Sequence, residues 1–171
     1  MGKVVSEQEL ILRCRERKGN GEKIVFVGGI FDLLHPGHVR LLEQARDYGD
    51  VLVVAVLNDA SARSVVAAEP MRKNSRAIGV QRPITPAAER VEILAALAAV
   101  DHATEVGVDA LRELLAGIGP DVAVEHAEPS GPTLLAGAAN KSGTRFVRIP
   151  FEPGHSTAGI IERIVQLSGS E

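Results

Sequence analysis

Residues 24–49 read IVFVGGIFDLLHPGHVRLLEQARDYG, and the division of this stretch decides the fold. Ile24 to Val27 is an apolar run, Gly28 and Gly29 interrupt it, and a new pattern begins at Pro36. From there Val39, Leu41, Leu42 and Ala45 fall on one side of a helix and Arg40, Glu43, Gln44 and Arg46 on the other. The period changes from extended to helical across the glycines, which spells strand, turn, helix. Pro36 suits the first helical turn, where its missing N–H costs nothing. His35 and His38 are three residues apart, so within that turn they share a face. Free N–H groups and a dipole of about half a positive charge already draw an anion to a helix start. Two imidazoles at that spot compose a phosphate site. Plainer readings are that a histidine caps the helix, or that the pair begins a zinc site. No Cys pair or HExxH accompanies it, and the two histidines follow a strand's carboxyl end, where open α/β sheets bind ligands.

Outward from this unit, strands and helices alternate. Gly49-Asp50 turns into Val51–Leu57, a continuous apolar run suited to a strand buried on both faces. Asp59 then caps a helix from Ala60 or contacts a ligand. Residues 62–82 hold no sustained period and read as a surface loop carrying Arg63, Arg72, Lys73, Arg76 and Arg82. As a set these cations are candidates for a sugar phosphate or a pyrophosphate leaving group, with Lys73 the first choice; a solvated loop is the alternative. A helix follows Pro86, with Arg90 in its second turn, then a strand at 101–106. Asp109 caps a helix over 110–116, and a strand spans 120–124. A further helix covers 132–140 and a last strand 145–149. Ser156 and Thr157 carry N-cap signals for a final helix over 158–167. Residues 4–18 form an amphipathic helix with Leu10, Ile11 and Cys14 inward. The expected architecture is a Rossmann-like, open, mostly parallel five-stranded sheet with helices on both faces. It forms one domain over residues 1–171, residues 1–20 being a helical extension.

Composition narrows the function. With 171 residues, 45% hydrophobic content and a net charge of −3, the chain lacks the basic excess of a general nucleic-acid binder. A nucleoside triphosphate brings about four negative charges, so its attraction must come from a few focused cations and helix ends. Cys14 is the single cysteine, which fits a reducing compartment, and no run approaches the ~18 apolar residues of a membrane span. The expected address is the cytoplasm, with neither nucleic acid nor membrane as partner.

GGIFDLLHPGH resembles the G-x-F-D-x-x-H-x-G-H signature of the HxGH nucleotidyltransferase superfamily, the cytidylyltransferase-like group. HPGHVRLLEQAR, DVLVVAVLNDAS, RPITPAAERVEILAALAAVD, GPDVAV and GHSTAGIIERI follow in the order of heptose 1-phosphate adenylyltransferases of the ADP-heptose synthase type. The likeness covers about residues 10–167. It implies transfer of AMP from ATP to a sugar phosphate such as a heptose 1-phosphate, with pyrophosphate released. Alternatives are a CTP-dependent enzyme acting on glycerol 3-phosphate or a related polyol phosphate, and a nucleotide-binding protein that has lost catalysis. The resemblance assigns His35 and His38 to catalysis. It assigns Gly29, Ile30, Phe31, Asp32, Gly154, His155, Ser156 and Thr157 to the nucleotide, with Asp32 orienting its loop. Asp59, Lys73, Arg90 and Glu125 are assigned to the second substrate or pyrophosphate. Mg²⁺ is implied as an ion carried by the triphosphate rather than ligated by the protein, and a homodimer is an open alternative. The chain departs from the pattern at Glu125-His126-Ala127-Glu128-Pro129, where the heptose enzymes carry Lys-Gly-Gly-Asp-Tyr. There a charge is reversed and two glycines are lost. His102, His126 and His155 are expected to matter less than His35 and His38.

Overall fold

The computed structural model describes residues 2–68, 81–126, 133–150 and 154–168. Among the described residues, six parallel strands form one open sheet in the order β1-β4-β3-β2-β5-β6. They are β1 (Lys3–Val4), β2 (Ile24–Gly29), β3 (Val51–Leu57), β4 (His102–Val106), β5 (Val122–His126) and β6 (Arg145–Ile149). The helices are α1 (Glu7–Gly19), α2 (Pro36–Arg46), α3 (Asp59–Ala68), α4 (Ala87–Ala96), α5 (Val108–Ile118), α6 (Ala136–Ser142) and α7 (Thr157–Ser168).

β2 and β3 are central and fully apolar until the glycines, because helices cover both faces. Alternation along each strand sorts the side chains. Ile24, Phe26, Val53, Ala55 and Ala123 pack beneath α1, α5 and α6, through Leu10, Leu114, Leu115, Leu135 and Ala139. Val25, Val27, Leu52, Val54 and Val124 pack beneath α2 and α4, through Leu41, Leu42, Val91 and Leu94. Cys14 lies within the first of these cores, where burial pushes its thiol up to about 11.

The chain departs from the sequence reading at its local boundaries. A sixth strand joins the five expected, since Lys3–Val4 adds to the sheet edge beside β4. Two residues are too short for any period to reveal, and the helix begins only after Ser6, whose hydroxyl accepts from the Glu9 N–H at 3.2 Å. Residues 62–68, read as loop, continue α3 on small and aliphatic residues, with Ala62 buried. Asn58 rather than Asp59 caps that helix, its side chain accepting from Ser61 N–H at 2.8 Å. Asp109 lies in the first turn of α5, whose N-cap is Gly107. α6 begins at Ala136, four residues later than expected.

The connections set where a ligand can enter. From β2 the chain steps outward to β3 and β4, then returns across the sheet to β5 on the other side of β2. β2 and β5 are therefore neighbours whose following connections run in opposite directions. Such a switch point opens a crevice at the carboxyl ends of the strands. The stretch Gly28 to His38 lies on one wall and the end of β5 on the other.

Phe26, fully buried on the central strand, is the largest apolar side chain of this framework. Phe26→Ala should lower unfolding stability by about 3–5 kcal/mol, the usual cost of emptying an aromatic core site. Urea denaturation checks this, and a loss below 1 kcal/mol would place Phe26 outside the core that carries the fold.

Candidate active site

The corner between β2 and α2 is tightly constrained. Phe31 and Leu33 both adopt positive φ, at 56° and 45°, conformations that L side chains occupy at a cost. The residue between them holds the corner. Asp32 is 1% exposed, and one carboxylate oxygen accepts from Ile84 N–H at 2.9 Å and Thr85 N–H at 3.1 Å. Its other oxygen takes Arg82 Nε at 3.1 Å. Its backbone carbonyl accepts the Thr157 hydroxyl at 2.7 Å, which seats the start of α7 on the same corner. Asp32 thus ties the corner to the segment before α4 and to the start of α7.

Arg90 completes the support from below. Its guanidinium is buried and donates to the carbonyls of Ile30, Leu57 (3.0 Å) and Thr85 (2.8 Å), and to the Asp59 carboxylate (2.6 Å). At 1% exposure, with four partners, it has no face for a substrate. Arg90 and Asp59, expected at the second substrate, are joined to each other as a brace, and the Ile30 carbonyl is committed inward. Glu125 is likewise turned away from solvent. Its carboxylate accepts from Leu134 N–H at 2.8 Å and Leu135 N–H at 3.0 Å, just ahead of α6. Burial raises its pKa, against those two bonds and Arg148, which lower it. A protein carboxylate already occupies that helix start. Lys73 lies outside the described residues.

The imidazoles gather above this scaffold. His35 stands at the N-cap position of α2 but makes no side-chain capping bond, so the capping reading fails. Its ring stacks on His38 with centroids 3.8 Å apart and planes 22° apart, and His38 meets Phe31 at 5.4 Å. Gly37 makes the stack feasible: a Cβ there would stand 3.0 Å from His35 Nδ1 and 3.3 Å from the His155 Cβ. The starts of α2 and α7 consequently pack side by side, with the His35 and His155 rings 6.5 Å apart. At α7 the Ser156 hydroxyl caps by accepting from Gly159 N–H at 3.0 Å. With the Thr157 hydroxyl on Asp32, both side chains are used internally, and the N–H groups of this turn and the His155 ring are what α7 offers an anion. Gly154, at φ 85°, turns the chain into it. Gly29 ends β2 against the Phe31 ring, and Gly28 is kept small by Leu135, 3.1 Å from where its Cβ would stand.

His126, ranked low from the sequence, belongs with this group. It stands at the end of β5, its Nε2 3.1 Å from the Pro150 carbonyl, and its charge bears on both His35 and His38. The topology of the switch point was the signal for it; no residue pattern marked it. His102 begins β4, on the strand beyond β3.

In the free protein the two imidazoles of α2 resist protonation. Burial, then His35, His126 and Arg82, push His38 down to about 3, and burial, then His126 and His155, lower His35. The geometry crowds basic groups together in the absence of an anion. Nδ1 of both rings is buried without a hydrogen-bond partner. Among the described residues no group of three or more His, Cys, Asp or Glu could hold a metal ion. Nor is any helix among them long and apolar enough to cross a membrane.

An open parallel α/β sheet with two helix starts and stacked imidazoles at its switch point defines a phosphate-handling, nucleotide-binding protein. The chain belongs to the cytidylyltransferase-like family, whose model matches residues 26–133, and is a nucleotidyltransferase. It is 38% identical over 165 residues to the bifunctional protein HldE of Escherichia coli K12 (DH10B) and to that of Shigella boydii serotype 18. The match takes in 95% of this chain and 32% of each relative, so the chain spans about a third of the curated proteins it resembles. Among solved structures, the lipopolysaccharide core biosynthesis protein of Thermoplasma volcanium aligns with TM-score 0.58 and 25% identity. That alignment covers 77% of this chain and 98% of the other. Pantoate-beta-alanine ligase of Francisella tularensis shares the fold, at TM-score 0.56 and 15% identity over 90% of this chain and 69% of its own.

Two outcomes follow from the stack. Gly37→Ala should displace the His35 ring and weaken triphosphate binding about tenfold or more while the fold survives; calorimetry and circular dichroism check both, and unaltered affinity would contradict the close packing. The depressed His38 pKa also has a signed consequence. The unfolded chain binds a proton near pH 6.5 and the folded one only near 3, so stability falls as pH drops through that window. His38→Asn should remove part of that acid sensitivity in pH-resolved thermal melts.

Proposed function

We propose that the chain transfers AMP from ATP to a sugar phosphate, such as a heptose 1-phosphate, and releases pyrophosphate. The observation that carries this reading is the His35–His38 stack at the start of α2, with the start of α7 packed beside it. The likeness to HldE proteins over nearly the whole chain supports the heptose acceptor. In the reaction an oxygen of the sugar phosphate attacks the α-phosphorus in line. The bond from that phosphorus to the oxygen bridging to the β-phosphate breaks, and pyrophosphate departs with the electron pair. No protein nucleophile enters, so the chain's task is positioning and charge neutralisation.

His35 and His38 donate from their Nε2 edges to the oxygens on which charge accumulates, gaining protons as the phosphates enter. The α7 turn from His155 to Thr157 receives the remaining phosphates through its N–H groups. Ile30 and Phe31 line the nucleotide side of the corner. Mg²⁺ is a hard ion that prefers oxygen ligands, which this imidazole set does not supply, and Asp32 is fully engaged. The ion is therefore assigned to the triphosphate that carries it, and no step is routed through it. Membership of the cytidylyltransferase-like family supports CTP as the nucleotide of the second reading, in which a polyol phosphate such as glycerol 3-phosphate is the acceptor. Pyrophosphate release scored over ATP and CTP against heptose 1-phosphate and glycerol 3-phosphate separates the two.

His38→Ala should lower kcat about 10²–10³-fold, the scale for one pre-organised transition-state donor. Steady-state pyrophosphate release measures it, and wild-type turnover in a folded variant would remove His38 from the reaction.

A further inference from the structure

The proposed reaction employs the imidazoles of α2, yet the opposite wall of the crevice carries one more. Strand alternation divides Glu125 and His126, the described residues of the segment that departs from the heptose enzymes' pattern. Glu125 points with Ala123 to the α6 side and is consumed by the N–H groups of Leu134 and Leu135. His126 follows Val122 and Val124, which pack with Leu41 and Leu42 of α2, and so lies on the side of the stacked pair. β5 is registered against β2 through Val124 and Val27, and against β6 through His126 and Ile149. The contact of Nε2 with the Pro150 carbonyl at 3.1 Å holds the ring across the β5–β6 edge.

We infer that His126 is an additional phosphate-contacting residue, supplying positive charge to the crevice from β5. The inference rests on the proposed transferase reading and deepens it. The neighbouring charges favour an anion between the walls. His126 bears electrostatically on His35 and His38 of α2, His155 stands beside His35 at the start of α7, and Arg82 bears on His38 from the segment before α4. On the other strand face Arg148 of β6 acts on Glu125, which lies in register beside it. The carboxylate nearest along the chain is thus directed to α6 and away from the crevice. A phosphoryl group entering there meets imidazoles from two walls, and an imidazole with a reference pKa of about 6.5 is charged far more at pH 6 than at pH 8. A lysine would hold its charge throughout. A histidine at this position makes the contact dependent on pH.

The test is calorimetric binding of inorganic tripolyphosphate and, separately, of a hexose 1-phosphate to the full chain at pH 6.0 and 8.0. His126→Ala should weaken one of the two about tenfold or more at pH 6.0 and much less at pH 8.0. His126→Lys should restore the affinity and flatten its pH dependence, which a purely structural role would not do. Loss confined to tripolyphosphate assigns the contact to the triphosphate; loss confined to the hexose phosphate assigns it to the acceptor. If the unaltered protein binds and His126→Ala binds both probes equally well at pH 6.0, the inference falls and the transferase reading stands. If the unaltered protein binds neither probe, the transferase reading falls and takes the inference with it.

Discussion

The hydrogen bonds made by Asp32 are the constraint on which the site depends. One buried residue fastens the segment before α4 through its carboxylate and the start of α7 through its carbonyl. Residues on either side of it are held at positive φ, a cost that persists only where the surroundings over-determine the backbone. Those bonds, and the Arg90 guanidinium gripping Ile30 and Leu57 from beneath, supply that determination. The corner is rigid because three separate parts of the chain converge on it. Phosphoryl transfer without a protein nucleophile requires such rigidity, since misplacement by an ångström removes much of the advantage of positioning.

Electrostatics underlie the proposal that the corner takes an anion. Four imidazoles and Arg82 crowd an edge of a chain whose net charge is −3. Burial keeps the rings of α2 uncharged while the site is free of anions, which spares the fold a cluster of like charges. Entry of a polyphosphate reverses that balance, because the oxyanions favour the protonated rings. Under the proposed function, proton uptake and phosphate binding are one event, and the same burial that costs stability in acid prepares the response.

Much of this was legible in the sequence. Gly28 to Ala45 announced strand, turn and helix through the change of period, and all five expected strands form. What escaped were features set by tertiary contact. β1 is two residues long and exists because β4 offers an edge. Arg90 and Glu125 looked like substrate ligands by motif position; only burial and their backbone partners show that they hold the scaffold. His126 sat in a segment that matched no pattern, and it becomes significant once β5 lies beside β2. Sequence spacing reports neighbours along one element, whereas these roles arise between elements.

The central claim is that triphosphate binds at the switch point against the stacked imidazoles of α2. A crystal structure with a non-hydrolysable ATP analogue tests it most directly. The account predicts α-phosphate oxygens within hydrogen-bond distance of Nε2 of His35 and His38, and the outer phosphates over the first turn of α7. A triphosphate lodged away from both helix starts, with those rings still stacked and unbonded, would contradict it.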